Sequence, residues 1–136
     1  MVTGCLTTIE MRELDAFLTR CLRRIFGIFW PVTISNADLL EMAQMDCMTI
    51  QLKVRRLKWL GHVFRMENVR VPKLAMTWKP TTGSRKVGRP FLTHEHVRTG
   101  DLDSLGLSLG EARKLAQDRT KWRKSIAERS GANFCF

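Results

Sequence analysis

The sequence predicts an all-α fold, a small irregular bundle of about five or six helices with one basic loop. Apolar residues recur at helical rather than alternating spacing over most of the 136 residues, and side chains three and four apart share a helix face. N-cap signals precede several of these stretches, with Thr7 and Glu10, and again Ser108 and Glu111, at capping-box spacing. Strand signals are nearly absent, and no internal repeat recurs at a solenoid period.

The first helix is expected over residues 8–27, where Leu14, Leu18, Cys21 and Ile25 form an apolar stripe that Phe17 and Leu22 widen. Gly27 and Pro31 end it, and Ser35 with Asp38 then caps a short helix through Leu39, Leu40 and Met45. A connection this short favours an antiparallel pair. From Met48 to Met66, Ile50, Val54, Leu57, Leu60 and Phe64 fall near one face, while Lys53, Arg55, Arg56, Lys58, His62 and Arg65 cover much of the rest. Pro72 opens another short helix ending near Trp78, because proline is tolerated in a first turn. Residues 79–90, rich in Gly, Thr, Ser and Pro, read as the loop. A helix over residues 93–105 stops at Gly106, and Ser108 caps a final helix carrying Leu109, Ala112, Leu115, Ala116, Trp122 and Ile126. Trp78 and Trp122 are expected in the core. Residues 1–47 thus read as an N-terminal helical pair and residues 48–136 as a basic helical tail region.

A hydrophobic content of 44% against 26% charged residues places the chain among globular sequences of one domain. Lys and Arg number 23 against 13 acids, a net charge of +10 that points to a polyanionic partner. The charge is concentrated: residues 53–98 hold twelve Lys or Arg and two acids, whereas residues 31–52 hold neither Lys nor Arg. The apolar run from Ile25 to Trp30 is far shorter than the roughly 18–20 residues of a membrane span, and Pro31 follows it. Glu10 and Arg12 interrupt the order of a signal peptide, so an intracellular location, nuclear or cytoplasmic, with reduced thiols is expected. Cys5, Cys21, Cys47 and Cys135 show no C-x-x-C spacing, which argues against a zinc ribbon or a disulfide framework.

No convergent set of acids, bases and nucleophiles is visible, and the chain reads as having no catalytic residue, no metal and no cofactor. His94, Glu95 and His96 resemble a metal cluster only in sequence, since alternate helical positions point about 200° apart. His62 reads as a packed or solvent-facing imidazole. The informative constellation is Lys53, Arg55, Arg56, Lys58, Trp59 and Arg65, in which cations alternate with an aromatic ring. Arginine can grip two phosphate oxygens and tryptophan can stack on an unpaired base, so the expected partner is an RNA or DNA backbone bound without sequence preference. Arg85, Lys86 and Arg89 of the loop extend that surface. Gly88, Arg89 and Pro90 form the core of a minor-groove hook, but Val87 stands where such a hook has its first arginine, leaving a phosphate-contacting loop. Two other readings compete. One is a core helix with Trp59 buried and its charges merely solvated. The other is a basic amphipathic helix on an anionic membrane or in a calmodulin-like groove.

The succession Leu14-Asp-Ala-Phe17, Cys21-Leu-Arg-Arg-Ile25, Trp30-Pro31, Ile34-Ser-Asn36, Arg56-Leu-Lys-Trp-Leu-Gly-His-Val63, Arg65-Met66, Pro72-Lys73, Gly88-Arg-Pro90, Ala116-Gln-Asp-Arg119 and Trp122-Arg123 resembles the C-terminal region of RTE-like non-LTR retrotransposon endonuclease-reverse transcriptases. The likeness spans nearly the whole chain in order. It implies a LINE-type fragment that follows the polymerase thumb or connection, lacks the endonuclease and polymerase active sites, and packs on upstream reverse transcriptase domains while helping to hold template RNA or target DNA. Asp101-Leu-Asp103 is the nearest approach to the polymerase's paired aspartates, and it lies on a helix of the tail. Phe91, Leu92, His94, Glu95 and His96 stand where the family carries mostly basic residues, a drift expected of a degenerate genomic copy. A purely structural packing segment, or a remnant without function, is the alternative.

Overall fold

The computed structural model describes residues 6–78 and 94–130, and α-helix is the regular structure among them, with no strand. The expected small all-α bundle is therefore the fold. In order, the helices are α1 (Thr8–Ile25), α2 (Asn36–Met42), α3 (Met48–Arg65), α4 (Val71–Thr77), α5 (His94–Asp103), α6 (Leu109–Gln117) and α7 (Arg119–Ser130). The expected loop at residues 79–90, with Arg85, Lys86 and Arg89, lies outside the described residues.

Local chemistry sets most of the boundaries. The Thr7 hydroxyl accepts the Glu10 N–H at 3.3 Å, and the Glu10 carboxylate accepts the Thr7 N–H at 2.6 Å. Ser108 and Glu111 repeat the exchange at 3.3 and 2.9 Å. Both boxes satisfy N–H groups that a helix leaves without internal partners. They also hold the two carboxyls below the usual range, chiefly through the Thr7 N–H for Glu10 and the Ser108 hydroxyl for Glu111. Gly27 and Gly106 take φ of +65° and +64°, a left-handed conformation that costs glycine little. Each turns the chain so that the next N–H reaches back into the helix, from Ile28 to the Arg23 carbonyl at 2.9 Å and from Leu107 to the Leu102 carbonyl at 3.1 Å.

The basic helix α3 is the hub, contacting α1, α4, α5, α6 and α7. Its Leu57, Leu60 and Phe64 meet Leu102 and Leu105, Ala112 and Ala116 of α6, and Trp122 and Ile126 of α7 in one buried cluster. Two alanines one turn apart give α6 a thin face and allow it to lie close to α3. At the other end of α3, the Asp15 carboxylate accepts the Thr49 hydroxyl at 2.6 Å and its N–H at 3.3 Å, tying α1 to the hub.

Three expectations about the elements are corrected. The final helix is two helices, because Asp118 is extended (φ −93°, ψ 109°) and its carboxylate caps α7 by accepting the N–H groups of Thr120 and Lys121 at 2.9 and 3.1 Å. The break separates the helix that carries Ala112 and Ala116 from the one that carries Trp122 and Ile126, and both pairs enter the same core cluster. Trp78 is 72% exposed rather than in the core, while Trp122 is 1% exposed. In α1 it is Thr19 and Leu22 that are buried, and Phe17 and Ile25 face outward. The wide apolar stripe thus exceeds the face that the neighbouring helices cover.

A tight contact joins α3 and α7 in the core. The Trp122 indole donates its N–H to the Leu57 carbonyl at 3.0 Å, using that oxygen's second lone pair. Its ring lies over Gly61, where an added Cβ would come within 2.2 Å of Nε1. Glycine inside a helix costs about 1 kcal/mol against alanine, and here it is what leaves room for the indole. The substitution Gly61→Ala is expected to reverse the usual propensity gain and lower stability by about 2 kcal/mol through overpacking. Urea denaturation followed by Trp fluorescence measures this, and an unchanged or raised midpoint contradicts the packing described.

Candidate nucleic-acid interface

The cations of α3 divide by their position on the helix. Arg55, Lys58, Trp59 and His62 are its exposed residues, so the ring proposed for base stacking is not enclosed by the core. Arg56 turns inward. Its Nε and Nη2 donate to the two carboxylate oxygens of Asp101 at 2.7 and 2.9 Å, and the side chains are only 17% and 10% exposed. Such a bidentate, desolvated pair joins α3 to α5 and leaves Arg56 committed to the fold. Lys53 is half-buried beside this pair. Burial pulls its pKa below the ordinary lysine range, Asp101 opposes that shift and Arg56 adds to it.

Arg65 belongs to both sets. Its Nη1 donates to the Ala116 carbonyl at 2.7 Å, linking α3 to the end of α6, and the same side chain lines a groove of about 660 Å³ between α3 and α7. Lys58 and His62 flank it on the α3 side, and Arg119 and Arg123 do so from α7. Val54, Trp122 and Ile126 supply apolar lining, and Asp46 is the carboxylate on its wall. The groove is therefore a concave surface with four permanent cations and a single acid.

Arg119 and Arg123 are the residues that sequence reasoning missed. Averaged over residues 99–136, seven cations are nearly balanced by five acids, and the segment looks nearly neutral. Structure separates them. Asp118 sits 3.7 Å from Lys121, with its carboxyl held below the usual range chiefly by the Lys121 N–H, and Glu128 sits 3.7 Å from Lys124. The acids face lysines, so the two arginines one turn apart keep their charge for the groove. Their spacing around the buried Trp122 was the available signal.

Among the described residues no group of three or more His, Cys, Asp or Glu side chains could hold a metal, and Cys21 and Cys47 are not joined in a disulfide. No described helix is long and apolar enough to cross a membrane. The amphipathic-helix reading meets a physical obstacle, because Leu57, Leu60 and Phe64 are already buried in the core and are not available to a bilayer or a partner's groove. The chain matches no family model, no curated protein and no solved structure.

The two fates of arginine on α3 can be separated by measurement. Arg56→Gln leaves the Asp101 carboxylate buried without its partner and is expected to lower stability by about 3 kcal/mol, whereas Arg55→Gln should change it by less than about 0.5 kcal/mol. Parallel chemical denaturation of both variants decides the point, and equal stabilities would remove Arg56 from the structural role.

Proposed function

We propose that this chain is a non-catalytic module that holds RNA or DNA by its phosphates, as its resemblance to the C-terminal region of RTE-like non-LTR reverse transcriptases implies. It would act beside the polymerase domains of such an enzyme rather than perform polymerisation or cleavage itself. The observation that carries this reading is the groove, where Lys58, His62, Arg65, Arg119 and Arg123 converge from two helices upon one space. A nucleic-acid strand presents phosphates in a row, and a row of cations on a concave wall neutralises several at once. Trp59 and Arg55, exposed on the adjoining strip of α3, offer a stacking face and a further phosphate contact.

The test is fluorescence anisotropy with a labelled single-stranded RNA and a DNA duplex over a salt series. Each phosphate contact contributes a slope of about −0.7 to −0.9 in log affinity against log salt. Replacing Lys58, Arg119 and Arg123 together by Ala should weaken binding and flatten the slope by about two units. A charge-matched control, with Lys114, Lys121 and Lys124 replaced instead, should keep most of the slope. If both triple variants lose affinity equally, only net charge matters and the groove is not the site.

A second reading, a segment that packs on neighbouring protein, has its own observation. Ile25, Phe26, Phe29, Trp30 and Val32 are all exposed, with Trp30 at 90%, at the end of α1 and the turn after it. Contiguous apolar surface of this kind marks a contact face. Sedimentation velocity should show self-association of the isolated chain that Phe29→Ser with Trp30→Ser relieves. A monomer at all concentrations with the parent sequence argues against this face.

A further inference from the structure

A second cleft, of about 430 Å³, opens where α4 and α6 pack against the end of α3 and Arg98 of α5, and it shares no lining residue with the α3–α7 groove. Val63, Phe64 and Met76 form apolar wall, and Lys73, Arg98 and Arg113 bring three cations to it with no carboxylate among its lining residues. Volumes of this order are typical of small-ligand sites.

Arg98 is the anomalous residue. Its side chain is 8% exposed, yet among the described residues its only ion pair is with Glu95 at 3.8 Å, one helical turn away and 57% exposed. Its Nε is buried with no hydrogen-bond acceptor. The contrast with Arg56 is direct, for that buried guanidinium has both carboxylate oxygens of Asp101 at 2.7 and 2.9 Å. A guanidinium stays charged at any ordinary pH, so its burial is costly unless oxyanion acceptors surround it.

The rest of the wall is arranged for an anion. The Arg113 guanidinium lies over the Phe64 ring, 5.8 Å from its centroid, which holds an exposed side chain at the mouth. Lys73 donates to the Phe64 and Met66 carbonyls at 3.3 and 2.6 Å, so its ammonium is fixed where α3 ends. Asn68 and Gln117 complete the rim with neutral donors.

We infer that this cleft binds a phosphate group, gripped by Arg98 from the floor and Arg113 from the mouth, with Lys73 adding positive potential. Guanidinium forks match phosphate oxygens in pairs, and the ligand would supply the acceptor that Arg98 Nε lacks. Burial already pushes the Arg98 pKa below the ordinary guanidinium range, with Glu95 opposing and Arg113 adding to the shift. An incoming dianion would reverse that imbalance. The inference does not depend on nucleic acid occupying the α3–α7 groove.

The experiment reads Arg98 directly. Arginine Nε–H resonances of the intact labelled chain are followed by NMR while inorganic phosphate, adenosine 5′-monophosphate or adenosine is added. The Arg98 signal should move saturably with the two phosphates and not with adenosine. Tighter binding of the monophosphate assigns the site to a nucleotide, and equal binding assigns it to free phosphate. Arg113→Gln, at an exposed position that leaves the fold intact, should weaken binding about tenfold, the loss expected of one charge-assisted contact. Arg12→Gln, an equal loss of charge on α1, should not. An Arg98 resonance that does not move, a response to adenosine as large as that to phosphate, or equal weakening by both variants overturns the proposal.

Discussion

The indole of Trp122 packed against Gly61 is the constraint from which the rest of the architecture follows. Burying a ring of that size is among the largest single contributions a small core can contain, a few kcal/mol by area. It is accessible only because one helical position lacks a Cβ and one helical carbonyl has a lone pair to spare. Once the ring is seated, α7 lies against α3 and Ile126 enters the same cluster. Arg119 and Arg123, on either side of Trp122, are carried to the groove by that seating. The apolar contact thus positions the polar site.

The break at Asp118 serves the same end. A carboxylate that caps α7 from the residue just before its first turn separates two short helices, and each can present its own face to α3. Ala112 and Ala116 on one side and Trp122 on the other make a thin helix and a thick one. Close packing of unequal faces around a single hub is what gives the bundle its irregular outline.

Charge in this chain has more than one duty. With 23 Lys and Arg residues, some must sit where helices meet, and the structure resolves the resulting conflict in different ways. Arg56 is neutralised by Asp101, Arg65 is satisfied by a carbonyl at the end of α6, and Arg98 is buried with Glu95 as its loose partner among the described residues. Exposed cations such as Lys58, Arg119 and Arg123 stay solvated and carry no desolvation cost. A count of basic residues treats these groups alike, although the energetics of an enclosed and an exposed guanidinium are opposite in sign.

What the sequence by itself determined was local. Capping boxes at Thr7 and Ser108, the glycine stops at Gly27 and Gly106 and the apolar face of α3 all depend on neighbours within a turn or two, and each was legible as a pattern. The candidate site was legible in part: Arg55, Lys58 and Trp59 are exposed on the helix that carries them, but Arg56 was indistinguishable from them, because its partner Asp101 lies 45 residues away. Tertiary structure alone decided that Gly61 faces Trp122, that Trp78 is left outside while Trp122 is enclosed, and that Arg119 and Arg123 join Lys58. The physical reason is the range of the forces. Hydrogen bonding and helical periodicity act along the chain, whereas close packing and desolvation act between surfaces that only the fold brings together.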